Sequence, residues 1–508
     1  MRPLQLAFLW HYHQPEYRFE EVALLPWVRL RAVKDYATVF ALLEQYPRLE
    51  LTLNVVPSLL VQLRALVEDG VSDRAELLCL KPAEELTEAE LEYLRALVPP
   101  EPLLERCPAY RELLSQPGEW DAARRRALQM WVNLAWMLPH RARFPIVGEW
   151  LERREFRADD IRLLLLLQRM VAREALEQLR RLAQQPMLEL SCSPLYHPIL
   201  PLLCDTESAA ESDPELPRPQ PAFRFPADAW LQCAQARERC WEELGVLPVG
   251  MWPSEGALSM AALESLAAAG VRWVATDEAL LAGAQPPVEG LQRYLPHRIR
   301  TRAGELVLLF RDRELSDAIG FVYGTWEPER AVEDFCQRLE QIRQELLRTL
   351  GEQALERALV LVALDGENCW DGYPDNGRAF LAALYERLLS QERFRVVCCR
   401  EALRTPQLPV LERIGVGSWM QGSLKIWIGS PESNAAWQTL AQARTRLESA
   451  RGRMPVRLWR TALEHLLVAE GSDWFWWMGG HFRSPAQPYF RELFRHHVER
   501  AEQLCSLA

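Results

Sequence analysis

Seven short apolar runs punctuate this chain, at 4–9, 49–56, 187–192, 247–251, 271–275, 306–310 and 358–364. A polar cluster follows each: HYHQP (11–15), Pro57-Ser58, SPLYH (193–197), WPSE (252–255), 276–278, RDRELSD (311–317) and DGEN (365–368). The runs are continuous rather than alternating, as expected of parallel strands covered on both faces. The stretches between them read mostly as helix, giving a βα rhythm. In a barrel of parallel strands, catalytic groups sit where strands end and loops begin, so the polar clusters point to one shared pocket.

Residues 59–186 interrupt the rhythm. They carry helical start signals such as Thr87-Glu88-Ala89-Glu90, with capping-box spacing, and a long Leu/Arg/Glu segment at 161–183. We expect a helical insertion there, beside the barrel. Residues 205–221 (DTESAAESDPELPRPQP) are proline-rich, acidic and aperiodic, which fits a lid over the site or a solvated excursion. Past residue 380 come one more strand-like run (394–398), a Trp/Gly-rich patch (417–430) and helical segments. The expected organisation is a catalytic barrel over 1–390, including the 59–186 insertion. A mainly helical C-terminal domain over 391–508 completes the groove.

The 508 residues are 49% hydrophobic and 25% charged, ample for a large folded core. A net charge of -11 with no basic stripe excludes nucleic acid as a partner. The eleven cysteines include no CxxC pair, which speaks against a zinc ribbon or redox motif and fits buried thiols in a reducing compartment. No small-residue cleavage site follows the N-terminal apolar run, and the leucine run 163–167 is too short to cross a membrane. A cytoplasmic protein is expected. GxSxG and phosphate-cradling glycine loops are absent.

Several carboxylates stand at the predicted strand ends, and glycoside cleavage requires two well-placed ones. Glu255 closes WPSE and Asp365 opens DGEN; an acidic group ending a buried strand is costly unless paired or used. Asp365 and Glu367 are two apart, so an extended backbone would put both on one face. His11, His13 and His197 lie at strand ends too, where they can hydrogen-bond substrate or, in second place, bind zinc. Nineteen tryptophans invite stacking on sugar rings, among them Trp252, Trp370, Trp419 and Trp474. GSDWFWW (471–477), with Asp473, reads as a sugar-binding rim. Trp273 and Trp459 read as core. Arg311 and Asp312 either orient the catalytic carboxylates or form a structural ion pair. Gln14, Glu189 and Glu367 complete the candidate substrate-binding set.

HYHQP, SPLYHPILPLL, GMWPSEGALS, FRDRELSDAIGF, LDGENCW and EGSDWFWWMGG, in this order, resemble the signatures of glycoside hydrolase family 57, nearest to its amylopullulanase and α-amylase-like branch. The resemblance implies an incomplete (β/α)7 barrel with a helical C-terminal region, retaining chemistry on α-glucans, no cofactor and no catalytic metal. It implies Glu255 as nucleophile and Asp365 as general acid/base. His11, His13, Glu189, His197 and Trp252 would line the cleavage subsite, with Asp473 and Trp474 on the C-terminal rim. The expected substrates are α-1,4 and, further, α-1,6 bonds of glycogen or maltodextrins. The alternatives are a 4-α-glucanotransferase or branching enzyme of this fold, a metal-dependent deacetylase- or mannosidase-like hydrolase, and a non-catalytic glycan-binding protein.

Overall fold

The computed structural model describes residues 2–507. The seven apolar runs become seven parallel strands: β1 (Leu4–Tyr12), β2 (Leu51–Val55), β3 (Leu188–Cys192), β4 (Gly250–Met251), β5 (Trp273–Asp277), β6 (Gly304–Arg311) and β7 (Leu359–Asp365). They neighbour one another in that order, and β7 pairs with both β6 and β1, so the sheet closes. This is the (β/α)7 barrel expected from the sequence. β4 shrinks to two residues, because the Leu247-Pro248 start of its apolar run cannot supply a regular ladder. A strand at His297–Thr301 runs antiparallel beside β6.

The barrel is filled in layers, and strand parity decides which residues fill it. Ala7, Leu9, Trp273, Ala275, Val307, Leu309, Leu361 and Ala363 point inward, whereas Leu6, Phe8 and Trp10 pack outward beneath the helices. The same parity carried to the strand ends brings polar side chains inward: His11, Asn54, Ser191, Asp277, Arg311 and Asp365. Register puts His11 level with Asn54 and Asp365, Asn54 level with Ser191, and Asp277 level with Arg311. A barrel interior that is apolar apart from Thr52 and Glu189 is thus capped by a polar layer at its C-terminal mouth.

The far end is sealed by chain that follows the last barrel strand. Phe394–Val397 pairs with residues 4–7 of β1, below the stretch of β1 that pairs with β2. The turn Cys399–Arg404 then crosses the barrel floor, its Cys399 and Ala402 joining the interior cluster. This strand lies past residue 390, the expected limit of the barrel.

Residues 59–186 fold into helices, ending in the 26-residue Ala158–Ala183; Thr87 and Glu90 form the expected capping box. The stretch 205–221 is held against the C-terminal part of the chain: Glu211 pairs with Arg413, Asn434 donates to the Pro217 carbonyl, and Leu216 sits over Gly429. All eleven cysteines are free thiols, ten of them buried. No helix among the described residues is long and apolar enough to cross a membrane.

Candidate active site

Glu255 sits just past β4 in a tight turn, Ser254–Gly256, with φ at 59°. That left-handed backbone is costly for a glutamate and marks a conformation the surroundings impose. Gly256 follows at φ 60°, and a Cβ there would come within 3.0 Å of the Trp252 ring. Trp419 comes from the Trp/Gly-rich patch: its indole N–H donates to Glu255 Oε2 at 2.7 Å and its backbone N–H to the Glu255 carbonyl at 2.9 Å. A bridge between Leu258 and Gly417 fastens this patch to the Glu255 loop.

Asp365 ends β7, three strands round the closed barrel from β4, near enough for its charge to act on Glu255. Burial and the Asp365 charge push the Glu255 carboxyl up to about 8, against the pull of the Trp419 hydrogen bond. Burial also raises Asp365, although the Asn368 side chain, His13 and Arg311 pull it down. Of the two, Glu255 is the one held protonated near neutral pH, so it can serve as a nucleophile only after passing that proton on, and Asp365, raised as well, is the carboxylate beside it.

Three imidazoles line the mouth between these groups. His13 and His197 stack at 3.9 Å between ring centroids, and His11 and His197 at 5.2 Å. His11 Nδ1 meets Asn54 Oδ1 at 2.6 Å, and Asn54 Nδ2 donates to Ser191 Oγ. This orientation of Asn54 makes His11 Nδ1 the donor and leaves Nε2 as an acceptor. Burial and the neighbouring His13 push His11 down to about 3, so it stays neutral. His197, itself at φ 57°, pairs through Nδ1 with Ser472 Oγ at 2.9 Å; burial and the two other imidazoles hold it well below the ordinary range. For His13 burial opposes the charged form, but Asp473 outweighs it, 2.8 Å from Nε2 and aided by Glu367 and Glu255, so its pKa is raised. Two imidazoles held towards the neutral form and a third biased towards the charged form by Asp473 thus line the mouth.

The remaining candidates lie elsewhere. Glu189 is level with Thr52 and Leu9, one inward layer below His11, or about 6.6 Å down the strand. It accepts from Trp273 Nε1, Thr52 and the Arg400 backbone of the floor turn, so it braces the barrel interior and does not line the subsite. Trp252 is buried within the same interior, under Trp419. Trp370 packs edge-on to Trp10 in the core, and Trp474 is buried with its N–H on the Val468 carbonyl. The expected GSDWFWW rim is the helix Ser472–Met478, whose Trp474 and Phe475 face inward; Asp473 is the residue it contributes to the site.

Arg311 is buried, donating to the Ala363 carbonyl at 2.7 Å and to Asp317 at 2.5 Å, with Asp277 at 3.4 Å and the Trp419 ring 5.5 Å away. It ties β6 to β7 beneath the mouth. Asp312 is buried as well, capping the next helix at Leu315 N–H and accepting from Tyr294, and so does not touch substrate. Glu367 does not share a face with Asp365. The chain bends at Gly366, where a Cβ would collide with the Tyr12 ring. Glu367 turns under the HYHQP loop, accepting from the His13 backbone N–H at 3.0 Å, Gln14 Nε2 at 2.5 Å and Tyr36 OH at 2.5 Å. Burial pushes it up to about 7 against the nearby Arg31 and the Tyr36 hydrogen bond. Gln14 is therefore a strut for the His13 loop.

Tyr36 and the buried Arg31–Lys34–Asp35–Asp371 ion cluster behind Glu367 are supporting residues with no motif of their own in the sequence; Ser472 lies within GSDWFWW but carries no signal there of its bond to His197. Asn54, a strand-end residue that the sequence leaves open between a functional and a structural role, lies on the inward parity and holds His11.

A closed parallel barrel with two partly buried carboxylates at its mouth is an arrangement that glycoside chemistry uses. The sequence pattern of Glycosyl hydrolase family 57 matches residues 7–414, and the chain belongs to that family. Its members are glycosidases or transglycosylases. Comparison with curated protein sequences finds no match. Among solved structures, the fold is similar to the GH57-type branching enzyme of Pyrococcus horikoshii (TM-score 0.61, 17% identity, covering 97% of this chain and 88% of that one). It is equally similar to the α-amylase AmyC of Thermotoga maritima (TM-score 0.61, 15% identity, 99% and 93%). The 4-α-glucanotransferase of Thermococcus litoralis follows at TM-score 0.57 and 14% identity, covering 99% of this chain and 60% of that one.

Proposed function

We propose that this protein is a retaining hydrolase of α-glucans, cleaving α-1,4 glucosidic bonds of glycogen or maltodextrins and accepting α-1,6 bonds as well. The supporting observation is the placement of Glu255 and Asp365 at one polar mouth. Glu255 attacks the anomeric carbon while Asp365 gives its proton to the leaving oxygen, so the glycosidic bond breaks and a glycosyl ester forms on Glu255. Asp365, now a carboxylate, takes a proton from water, which opens the ester with net retention. His11 Nε2 accepts a sugar hydroxyl, and Asp473, paired with His13, accepts from another.

Transfer to an acceptor sugar is the second reading. The Trp419 indole lies against the Glu255 carboxylate, which shields an ester there from water, and branching enzymes share this fold across 97% of the chain. Incubation with maltoheptaose and with pullulan, with and without chelator, separates the readings. Shorter products alone, unchanged by chelator, support the hydrolase, and pullulan cleavage adds α-1,6 attack or endo action beside it. A ladder above seven glucose units establishes transfer. Intact substrates overturn both.

A further inference from the structure

His13, His197 and Asp473 have a second capacity besides holding a sugar. One ligand atom from each lies within 4.8 Å of the other two. Zinc binds imidazole nitrogen and carboxylate oxygen at about 2.0–2.2 Å, so three ligands around one ion stand roughly 3–4 Å apart. His13 and His197 stack with ring centroids 3.9 Å apart, which brings their nitrogens within the 4.8 Å bound, and Asp473 Oδ2 is 2.8 Å from His13 Nε2. His197 is 2% exposed, and its Nε2 is buried without a hydrogen-bond partner. Its other nitrogen is occupied by Ser472 Oγ, which fixes the ring as outer-shell partners fix metal-bound imidazoles.

We propose that His13, His197 and Asp473 form an inhibitory site for a borderline divalent transition metal, of which zinc is the representative, and that the ion excludes glucan from the mouth. The ion occupies the place of sugar hydroxyls and takes no part in bond cleavage. Binding follows from geometry; that the ion excludes glucan and so stops turnover rests on the function proposed above.

Zinc titration of chelator-treated protein by calorimetry at pH 7.5 tests the site without reference to turnover, and cobalt(II) reports coordination through its visible absorption. One ion per chain is expected, with maltoheptaose weakening its binding. His197→Asn keeps a residue type that tolerates the left-handed backbone, and Asp473→Asn keeps the shape of the side chain. Each removes a direct ligand, so each should weaken zinc by at least the roughly 10- to 100-fold that losing an outer-shell partner costs. The separate imidazole pair His465 and His497, 2.9 Å apart, is the control: His465→Gln should leave the affinity unchanged. No binding up to about 1 mM zinc, or equal affinity in His197→Asn and Asp473→Asn, overturns the site. Zinc binding that maltoheptaose does not weaken overturns the exclusion. A chain that binds zinc here yet leaves every glucan intact keeps the site and overturns the proposed function instead.

Discussion

Trp419 holds Glu255 twice, through its indole N–H to the carboxylate and through its backbone N–H to the carbonyl, across 164 residues of sequence. The first contact stabilises the anion the nucleophile must become; the second fixes a left-handed backbone that places the carboxylate. Trp419→Phe keeps the ring and the backbone contact and removes only the charged hydrogen bond, worth about 1.5–3 kcal/mol. We expect kcat/KM on maltoheptaose to fall roughly 10- to 100-fold. Because the indole lowers the Glu255 pKa, the acidic limb of the pH–rate profile should move to higher pH.

Glu255→Gln should abolish turnover while oligosaccharide binding persists, since the amide keeps the shape but cannot attack. It should also change how stability depends on pH. The folded pKa, about 8, lies above the ordinary glutamate value of about 4.3, so the folded state binds the extra proton. That contribution is fully present below about pH 4 and is lost as pH rises through 8. Removing the group should make thermal unfolding temperatures fall less between pH 5 and 8, with the largest gain over the parent at the alkaline end.

Asp365→Asn should lose most activity on maltoheptaose and far less on an aryl glucoside whose leaving group needs little protonation. Equal losses on both substrates, in initial-rate measurements, would remove Asp365 from the role of acid.

Tyr36→Phe takes one of three donors from the buried Glu367. Urea titration should show a loss of about 1–3 kcal/mol with the slope unchanged. An unaltered midpoint would mean that Glu367 does not rely on this strut.

Asp473→Asn removes the main charge that raises the His13 pKa. The His13 ring should then titrate at lower pH when followed by NMR, with burial no longer opposed. An unmoved titration would show that Glu367 and Glu255 suffice to hold the proton.

Strand existence was legible in the apolar runs, and the polar endings located the mouth, because both properties repeat locally. Depth was not. Glu189 reads like any acid in a buried strand, and only its register with Thr52 reveals that it faces the floor turn at Arg400. Arg311 and Asp312 are adjacent in sequence, yet one points into the barrel and the other caps a helix, a division set by strand parity and by where β6 ends. Tryptophan number suggested a sugar rim, whereas Trp252, Trp370 and Trp474 are core, since a large indole gains more from burial than any motif can advertise. Trp419 was a candidate on abundance alone; its partnership with Glu255 depends on a bridge between residues 258 and 417 that no local pattern encodes.

The floor of the barrel has a consequence for synthesis. β1 is the first strand to leave the ribosome, yet it closes against residues 359–365 and 394–397, the last strand and the sealing segment. At about 5–20 residues per second, its apolar edge waits roughly 20–80 s for those partners. Through that interval the nascent chain carries an open parallel edge, the form of unfinished sheet most exposed to misassociation. Ribosome-associated chaperones should therefore matter more to the yield of this protein than to that of a domain whose first strand pairs with its second.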